Sequence, residues 1–493
     1  MCDEAPFDPA RSRRSCRPFA PRAAHGRIAR DRTGLLNTRQ QQARASPARA
    51  REITILHARP LRRLLRSASS LACTGLLAAA VPGGPALAAA FQLRENTAAG
   101  LGTSFAGVGS AAETPDTAFN NPAGMVRLPG LQVYLGGSII IPSATFRGTA
   151  TNGLGGPVSG ETRRDAGEPA VVPFGHVTYQ VTPDLSVGLA LTSPFGLVTY
   201  HGPGWAGRYL ADKSDLRTID FNPAVAYRIT PWLSVGAGLS VQTARAVFST
   251  AINSRAFLPA ALRARQLPDG LFNLRGDDVS VGYNFGVLIE PRAGTRIGLT
   301  YRSRIQHDFE GEATFDVPAP LSASPNFRRS RAGAKLVLPD TAGISVTQEF
   351  DARWTGYLDL TWTNWSQFRS LSAYRRTGEA VADVAQNYRD SFFVAVGASY
   401  RASDWLTLRA GTAYDKTPVR DAFRTARVPD EDRYWLSVGA SARLAPNTVL
   451  DAGYAHLFLP DARIDERSRT GDVLRGRYES GIDILSVGLR STF

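Results

Sequence analysis

The stretch "WLSVGAGLSV", residues 232–241, alternates apolar side chains with small or polar ones. In an extended chain, successive side chains point to opposite faces. One face is formed by Leu233, Val235, Ala237, Leu239 and Val241. Serines and glycines form the other face. A period of two predicts a β-strand whose two faces meet different surroundings.

The same alternation recurs along the chain. In "YWLSVGASA", residues 434–442, Leu436 and Val438 alternate with Ser437 and Gly439. We count fourteen such segments, beginning near residues 131, 170, 185, 219, 232, 278, 294, 336, 354, 390, 404, 432, 447 and 482. The pattern alone does not separate a soluble sandwich from a membrane barrel, so the connections between the strands must decide.

Every second connection is a tight turn, and these turns are "TPD" (182–184), "ITP" (229–231), "EPRAG" (290–294), "DAR" (351–353), "ASD" (402–404) and "APN" (445–447). The intervening connections run to about twenty residues, as at 251–277, 310–332 and 460–481. Short turns on one side and long loops on the other are typical of outer-membrane barrels. The sequence therefore predicts an all-β fold, a transmembrane 14-stranded antiparallel β-barrel over residues 131–493, in the bacterial outer membrane.

The tryptophans favour the same topology. Trp232, Trp354 and Trp405 each follow a tight turn, where the periplasmic girdle of aromatic residues is expected. Trp365 and Trp435 lie near the opposite strand ends, which predicts a second girdle there.

The formal charge of +14 belongs mainly to residues 1–66, which hold 16 arginines and five acids, or +11. The remainder carries +3, so we expect no nucleic-acid partner. An apolar run at 70–81, preceded by arginines and followed by the small residues Ala86 and Ala88, has the form of a secretion signal. Residues 1–88 are predicted to be a disordered basic extension plus a signal peptide that is cleaved after Ala88.

This cleavage would remove Cys2, Cys16 and Cys73, the three cysteines of the chain. Thiolate metal sites, disulfides and cysteine nucleophiles are then excluded. The histidines that follow Ala88 do not have the spacing of metal ligands. We therefore expect no metal, no cofactor and no enzymatic activity.

Residues 89–130 are mostly Ala, Gly, Ser and Thr, and they contain the turn "NNPAG" at 120–124. Pro122 lacks an amide proton and restricts Asn121 to extended geometry. Composition alone is consistent with a disordered periplasmic leader. A barrel of fourteen strands, however, has a lumen too wide for its own side chains to fill. The same segment would fit there as a hatch, and composition does not choose between the two.

The chain resembles the FadL/TodX family of outer-membrane transporters for long-chain fatty acids and hydrocarbons. The resemblance rests on "AAFQLRENTAAGLGTSFAG" with "NNPAG", on residues 193–229 and on residues 409–444. It implies a hatch over 89–130, with a hatch motif of Asn120, Asn121, Pro122 and Ala123. It also implies passive transport of hydrophobic molecules that leave the barrel sideways. The C-terminal Phe493 fits the signal by which barrel assembly machinery recognises such chains.

"LTSPFGL", residues 191–197, lies in the third predicted strand. Pro194 removes a ladder donor and Gly196 has no side chain to seal the wall, and both are unusual inside a strand. The strand either ends at Ser193 or is kinked. The family resemblance favours a kink that opens a lateral gate at Pro194, Phe195 and Gly196.

Two further sets of residues are candidates for substrate contact. A helix over 255–267 would place Phe257, Leu258, Ala261 and Leu262 on one face. This helix would either cap the loop or, as in the family, expose a groove in which Phe257, Leu258 and Leu262 first bind substrate. Three arginines are expected to face the lumen: Arg302, Arg304 and Arg409. They would either pair with a substrate carboxylate or only contact water in the lumen.

The predicted function is passive outer-membrane uptake of long-chain fatty acids or of aromatic or aliphatic hydrocarbons, by a monomer that releases its substrate into outer-membrane lipid. A general water-filled porin is the alternative, and a lipid hydrolase is a weaker one. The hydrolase would need serine, histidine and a polar partner on one wall. His456 alternates with the outward-facing set, which disfavours it.

Overall fold

The computed structural model describes residues 90–265 and 267–493. The predicted extension, signal peptide and cleavage site lie outside these residues. Twenty strand segments form one sheet. They are β1 (Leu131–Thr151), β2 (Ala170–Gln180), β3 (Leu185–Thr192), β4 (Gly196–Tyr200), β5 (Lys213–Thr230), β6 (Leu233–Ile252), β7 (Gly270–Arg292), β8 (Thr295–Arg302), β9 (Ile305–Asp316), β10 (Ser330–Leu338), β11 (Thr341–Glu349), β12 (Trp354–Thr363), β13 (Ser370–Arg375), β14 (Ala380–Ala385), β15 (Ser391–Arg401), β16 (Leu406–Asp415), β17 (Arg433–Ala445), β18 (Thr448–Phe458), β19 (Ala462–Arg467) and β20 (Val473–Thr492).

Several strands are interrupted, so that two consecutive segments are halves of one wall strand. The halves are β3–β4, β8–β9, β10–β11, β12–β13, β14–β15 and β18–β19, and the chain therefore crosses the wall fourteen times. All neighbours are antiparallel, and β1 pairs with both β2 and β20. The first and last strands thus close the sheet, which confirms the predicted 14-stranded antiparallel barrel.

The burial pattern is the reverse of that in a soluble protein. On β17, Leu436 is 57% exposed and Val438 is 53% exposed, whereas Ser437 is 1% exposed. On β20, Leu485 is exposed and Ser486 is buried. Apolar side chains on the outside and small polar ones on the inside are what a bilayer requires of a barrel wall.

Six tight turns connect consecutive strands, as predicted, and they lie at the end of the barrel that also carries the C-terminal residue Phe493. The loops at the other end are shorter than predicted, because the strands extend further into them. β7 begins at Gly270 rather than near 278, and β20 begins at Val473 rather than near 482. These hairpins continue past the band of exposed apolar side chains around the barrel, which we call the apolar belt. Beyond it the outer face is charged and the inner face carries buried side chains such as Leu274 and Tyr478, so the alternation of apolar outer and small inner residues disappears.

The aromatic girdle is confirmed at one end and wrong at the other. Trp232, Trp354 and Trp405 are exposed beside the tight turns. Trp365 and Trp435 are buried instead, at 0% and 2% exposure. Their rings face inward, because both contact phenylalanines of residues 90–130.

Residues 90–130, which we call the N-terminal segment, contain α1 (Ala98–Leu101), α2 (Thr117–Asn120) and a 3-10 helix at Pro122–Arg127. Short 3-10 helices also occur in loops, at Ser254–Phe257, Ala260–Leu262, Leu321–Ala323, Pro325–Phe327, Trp365–Gln367 and Asp421–Phe423. Among the residues that the structure describes, no helix has both the length and the apolar character needed to cross a membrane.

The N-terminal segment packs against inward-facing glycines on opposite sides of the barrel. A methyl group on Gly439 of β17 would lie 2.8 Å from Cα of Gly102, and one on Gly236 of β6 would lie 2.5 Å from the amide of Ala123. Real Cβ atoms do not approach this closely, so both positions require glycine. The small inner face seen in the sequence thus leaves room for the backbone of this segment.

Candidate functional site

The third wall strand is broken between Thr192 of β3 and Gly196 of β4. β5 pairs with both halves, but Thr192 lies opposite Asp220 and Gly196 opposite Arg217. Three residues on one side therefore face two on the other, which bends the strand as a bulge does.

On its other side the broken strand loses its neighbour. The ladder between β2 and β3 ends where Gly175 faces Leu191. Within the described residues, the next contact of this kind is a single bridge between Gly167 and Thr199. The wall between β2 and β4 therefore has an interval without ladder hydrogen bonds.

The backbone at the break bonds to the N-terminal segment instead. The amide of Leu93 donates to the carbonyl of Pro194, and the amide of Gly196 donates to the carbonyl of Phe91, both at 2.8 Å. Phe195 donates to Oγ1 of Thr218 at 3.0 Å. The donors and acceptors that a wall neighbour would normally satisfy are thus partly satisfied from inside the barrel.

A cavity of about 730 Å³ lies beside β4, and we call it the upper cavity. Its walls are largely apolar and include Phe91, Leu197, Leu216, Phe309, Leu336 and Phe368. Apolar walls with a few polar groups are typical of the pockets in which proteins bind hydrophobic small molecules. Phe91 is central to the packing, with its ring 4.7 Å from that of Trp365 and 5.6 Å from that of Phe368.

Arg427 is a buried cation at the edge of the upper cavity. Its guanidinium donates to the carbonyl oxygens of Lys213 at 3.1 Å and Ser249 at 3.2 Å. Burial lowers the pKa of Arg427 to about 10, and the nearby carboxylates of Glu466 and Asp212 oppose that shift. The terminal nitrogens of Arg427 also donate to the hydroxyls of Ser214 and Thr250. The group stays charged at neutral pH, so it can attract an anionic head group through its charge rather than through a free terminal N–H.

A second, more polar cavity of about 970 Å³ borders the other side of the break, and we call it the lower cavity. Its lining includes Leu93, Pro194, Phe195, Ile305 and Arg302. Residues of the broken strand therefore line both cavities. A molecule in either one would lie next to the interval in the wall.

The three arginines predicted as carboxylate partners lie in different places. Arg302 lines the lower cavity, but its guanidinium already donates to Ser240 Oγ and to the carbonyl of Phe119, both at 2.8 Å. It also lies 3.7 Å above the centre of the Phe119 ring. Arg302 thus holds the N-terminal segment to the wall.

Arg304 does not face the lumen, and that prediction is wrong. The break between β8 and β9 reverses the order of the faces, so that Ile305 is buried while Arg304 and Gln306 are exposed. Arg409 does face inward, beside Gly102, where it donates to Oγ of Ser441. It lies away from both cavities, among the contacts that hold the N-terminal segment.

The predicted helix over 255–267 is also wrong. Residues 254–257 and 260–262 form two short 3-10 turns separated by Pro259. Phe257 is 45% exposed, Leu258 is 3% exposed and Leu262 is intermediate, so the three do not share one exposed face. Only the ring of Phe257 projects, 5.1 Å from the ring of Phe327 on the neighbouring loop.

The predicted hatch motif forms a buried turn. Asn121 Nδ2 donates to the carbonyls of Gly109 at 2.6 Å and Val287 at 3.1 Å, and its Oδ1 accepts from the amide of Ala123 at 3.2 Å. Pro122 begins the 3-10 helix, where its missing amide proton costs nothing. Asn120 bonds to Asp116. One asparagine thus joins two parts of the N-terminal segment to β7.

Sequence reasoning missed the residues that shape the upper cavity. Phe91 lies in the stretch "AAFQL", and no pattern there indicates that its carbonyl meets Gly196. Phe368 and Arg427 lie in connections without periodicity. The proximity of all three depends on closure of the barrel and leaves no local signal.

The comparisons with known proteins agree with this geometry. Residues 79–493 match the family described as outer membrane protein transport protein (OMPP1/FadL/TodX). The chain is 33% identical over 392 residues to a 47 kDa outer membrane protein of Pasteurella multocida, covering 77% of this chain and 90% of that protein. It is 28% identical over 407 residues to the long-chain fatty acid transport protein of Salmonella typhi, covering 79% and 92%.

Solved structures show the same fold. A FadL homologue of Pseudomonas aeruginosa superposes with a TM-score of 0.76 at 25% identity, covering 82% of this chain and 99% of that one. The toluene transporter TodX of P. putida gives a TM-score of 0.60 at 18% identity, covering 80% and 98%. The barrel and the family match also identify the bacterial outer membrane as the location. The chain therefore belongs to the OMPP1/FadL/TodX family of outer membrane transport proteins.

Proposed function

We propose that this protein takes up hydrophobic compounds passively and releases them sideways into the membrane through the break in β3–β4. The observation that carries the proposal is that the upper and lower cavities both border this break. Pro194 and Phe195 line the lower cavity, and Leu197 lines the upper one. A substrate could therefore leave toward lipid from either cavity.

The energetics favour a sideways route. Each methylene group gains about 0.8 kcal/mol by leaving water. A long acyl chain that entered the aqueous periplasm would lose this gain, whereas one that moves from an apolar cavity into lipid keeps it. Transport then needs no energy source beyond the concentration gradient, and we propose no catalytic step.

The N-terminal segment acts in this proposal as a hatch that closes the pore to water. Its support is the close contact of Gly102 and Ala123 with the glycines of opposite walls. A hatch of this kind is incompatible with a general water-filled porin, and the comparisons support neither a porin nor a lipid hydrolase.

We propose long-chain fatty acids as the first choice of substrate. Arg427 places a cation at the edge of the otherwise apolar upper cavity, which suits a carboxylate with an apolar tail. The related Salmonella protein carries the name of a long-chain fatty acid transporter. Aromatic hydrocarbons, named for TodX, are the second candidate and would not need the cation.

We further propose that the protein is a monomer and that barrel assembly machinery recognises Phe493. The side chain of Phe493 is exposed at the end of the last strand, and its amide donates to the carbonyl of Leu131 at 2.8 Å.

Uptake by cells that lack the protein, with and without the gene restored, tests the function. Labelled oleate and labelled toluene should be compared at limiting concentration. Restored oleate uptake supports the first choice, and restored toluene uptake alone supports the second. If neither is restored and the purified barrel conducts large steady currents in planar bilayers, the porin replaces both.

A further inference from the structure

The wall has further interruptions besides the break in β3–β4, and one of them lies between β10 and β13. Their ladder pairs only Ala332–Lys335 with Ser372–Arg375. In the part of the chain that the structure describes, Leu336, Val337 and Leu338 pair with β9 alone. The side of β10 that faces β13 is therefore without a ladder over its last three residues.

The chain across from these residues turns away from β10. It is the link at 364–369, between β12 and β13. Its carbonyls accept from the following connection, with Gln386 donating to Arg369 at 2.8 Å and Tyr388 donating to Phe368 at 3.2 Å. The amide of Asn364 donates to the carbonyl of Asp340 at 3.0 Å and closes the interval below. We call the interval between 336–338 and 368–371 the β10–β13 gap.

A concave surface lies on the outer side of the β10–β13 gap. This surface faces the outside of the barrel, because exposed residues such as Asp308, Lys335 and Tyr374 line it. The upper cavity lies on the inner side. The residues that line both are Phe309, Ala332, Gly333, Ala334 and Phe368. One layer of mostly small side chains thus separates the cavity from the outside.

Phe368 is the residue of the link at 364–369 that lines both the upper cavity and the outer concave surface. It is 5% exposed, and its ring lies 5.6 Å from that of Phe91 and 5.0 Å from that of Tyr388. Its backbone belongs to the link rather than to a strand. A rotation of this ring would therefore join the two spaces without breaking a ladder.

The β10–β13 gap lies at the upper edge of the apolar belt. Directly below it, Tyr301, Ile344 and Leu360 expose large apolar side chains. At its own level and above, most of the exposed side chains are charged, and Lys335 lies 3.7 Å from Asp308. This is the height at which a fatty acid in a bilayer holds its carboxylate, with its tail in the hydrocarbon.

We propose that the β10–β13 gap is a second lateral opening, through which hydrophobic molecules already dissolved in the outer leaflet reach the upper cavity. The proposal rests on the proposed transport function. Substrate would then enter the barrel from lipid through the β10–β13 gap and leave it to lipid through the break in β3–β4. Substrate would pass Phe368 without crossing the extracellular loops.

Filling the gap from the outside tests the proposal. Val337 and Ser370 line the outer concave surface but not the upper cavity. The double variant Val337→Trp/Ser370→Trp should lose most of its uptake of labelled oleate. The matched control is Leu485→Trp, because Leu485 is 48% exposed on the outer face of β20, where it pairs with both Ile139 and Tyr454 in an unbroken part of the wall. It should transport like the unmodified protein.

A chemical block provides a second measurement on the folded protein. All three native cysteines precede residue 89. In a chain without residues 1–88, as the sequence predicts for the mature protein, Ser370→Cys is the single thiol and can be modified by a bulky maleimide in intact cells. Arg469→Cys, exposed in the connection between β19 and β20, is the control. Uptake should fall after modification at 370 only.

Undiminished uptake by folded Val337→Trp/Ser370→Trp and by modified Ser370→Cys would overturn the second opening. The proposed function would still stand if the unmodified protein transports oleate. If the unmodified protein and both control variants fail to transport, the proposed function itself is wrong.

Discussion

The amide of Gly196 donates a hydrogen bond to the carbonyl oxygen of Phe91, with 2.8 Å between the two heavy atoms. Gly196 begins the upper half of the broken third strand, and Phe91 lines the upper cavity. A residue that touches the proposed substrate is thus bonded directly to the proposed exit. Displacement of Phe91 by a bound molecule would remove the partner that the break has inside the barrel.

The variant Gly196→Trp should block transport while the barrel still folds, because an indole at this position would occupy the interval in the wall. Uptake of labelled oleate measures transport, and the shift on unheated gels measures folding. Gly481→Trp is the control, because a side chain there meets its nearest neighbours only at 3.9 Å. Normal uptake by folded Gly196→Trp would rule out this exit.

Deletion of Asn121–Ala123 should impair uptake without preventing barrel assembly. The milder variant Asn121→Ala removes three hydrogen bonds of a buried side chain, and each buried group left without a partner costs about 1–3 kcal/mol. The loss should loosen the N-terminal segment and raise single-channel conductance. Unchanged conductance and uptake in the deletion would show that this segment does not close the pore.

Phe257→Ser should weaken substrate capture at limiting concentration, because Phe257 is the projecting side chain of the predicted groove. Full burial by substrate would stabilise such a contact by about 1.5–3 kcal/mol, and partial burial by less. Leu258→Ser should instead destabilise the loop, since Leu258 is buried. Initial uptake rates and protease sensitivity separate the two effects. If Phe257→Ser takes up limiting oleate at the normal rate, this loop is not the capture site.

Arg427→Gln should reduce uptake of oleate more than uptake of toluene, because only the acid offers a carboxylate to the guanidinium. The ratio of the two rates is the informative quantity, since a general loosening of the loop would lower both. Equal losses for both substrates would contradict the assignment of Arg427 to the head group.

Docking of the N-terminal segment should depend on pH. Burial raises the pKa of Glu95 to about 7 and that of Asp116 to about 6. A carboxyl whose pKa is higher in the docked state binds its proton more tightly there, so docking is strongest below the ordinary pKa and weakens as pH rises through the raised value. Hydrogen exchange of residues 90–130, corrected for its intrinsic pH dependence, should show this. Glu95→Gln should flatten the response between the ordinary and raised pKa values of Glu95, and an unaltered profile would exclude that group.

The sequence predicted the barrel because a bilayer imposes one rule on every strand. Leu436 and Ser437 alternate in the sequence as they alternate between lipid and lumen in the structure. The fourteen crossings and the tight turns follow from this rule. The rule no longer applies above the apolar belt. Strands that continue there were therefore predicted to begin too late, at 278 and 482.

The errors have local causes. Trp365 and Trp435 lie near strand ends, and this position favoured a girdle. A side chain at a strand end can face either the membrane interface or the lumen, so the position alone does not fix its direction. Arg304 was expected to face the lumen because the period-two alternation of Arg302 was continued through residue 304. The break between β8 and β9, which no sequence pattern marks, reverses that alternation. The helix over 255–267 fails at Pro259, which has no amide to donate and disfavours helical geometry in the residue before it. The cavities were not predictable, because residues far apart in the chain line them.

The glycines that receive the N-terminal segment also constrain the order of folding. Gly236 and Gly439 lie on strands that are far apart in the chain and come to face each other only when β1 has paired with β20. The segment that fits between them is synthesised before every strand. It must therefore wait, unpaired, while the rest of the chain is made and inserted. A stretch of Ala, Gly, Ser and Thr can remain in water without collapsing or associating. The composition that lets this segment pack inside the barrel therefore also lets it stay unpacked until the barrel has closed, although it is synthesised first.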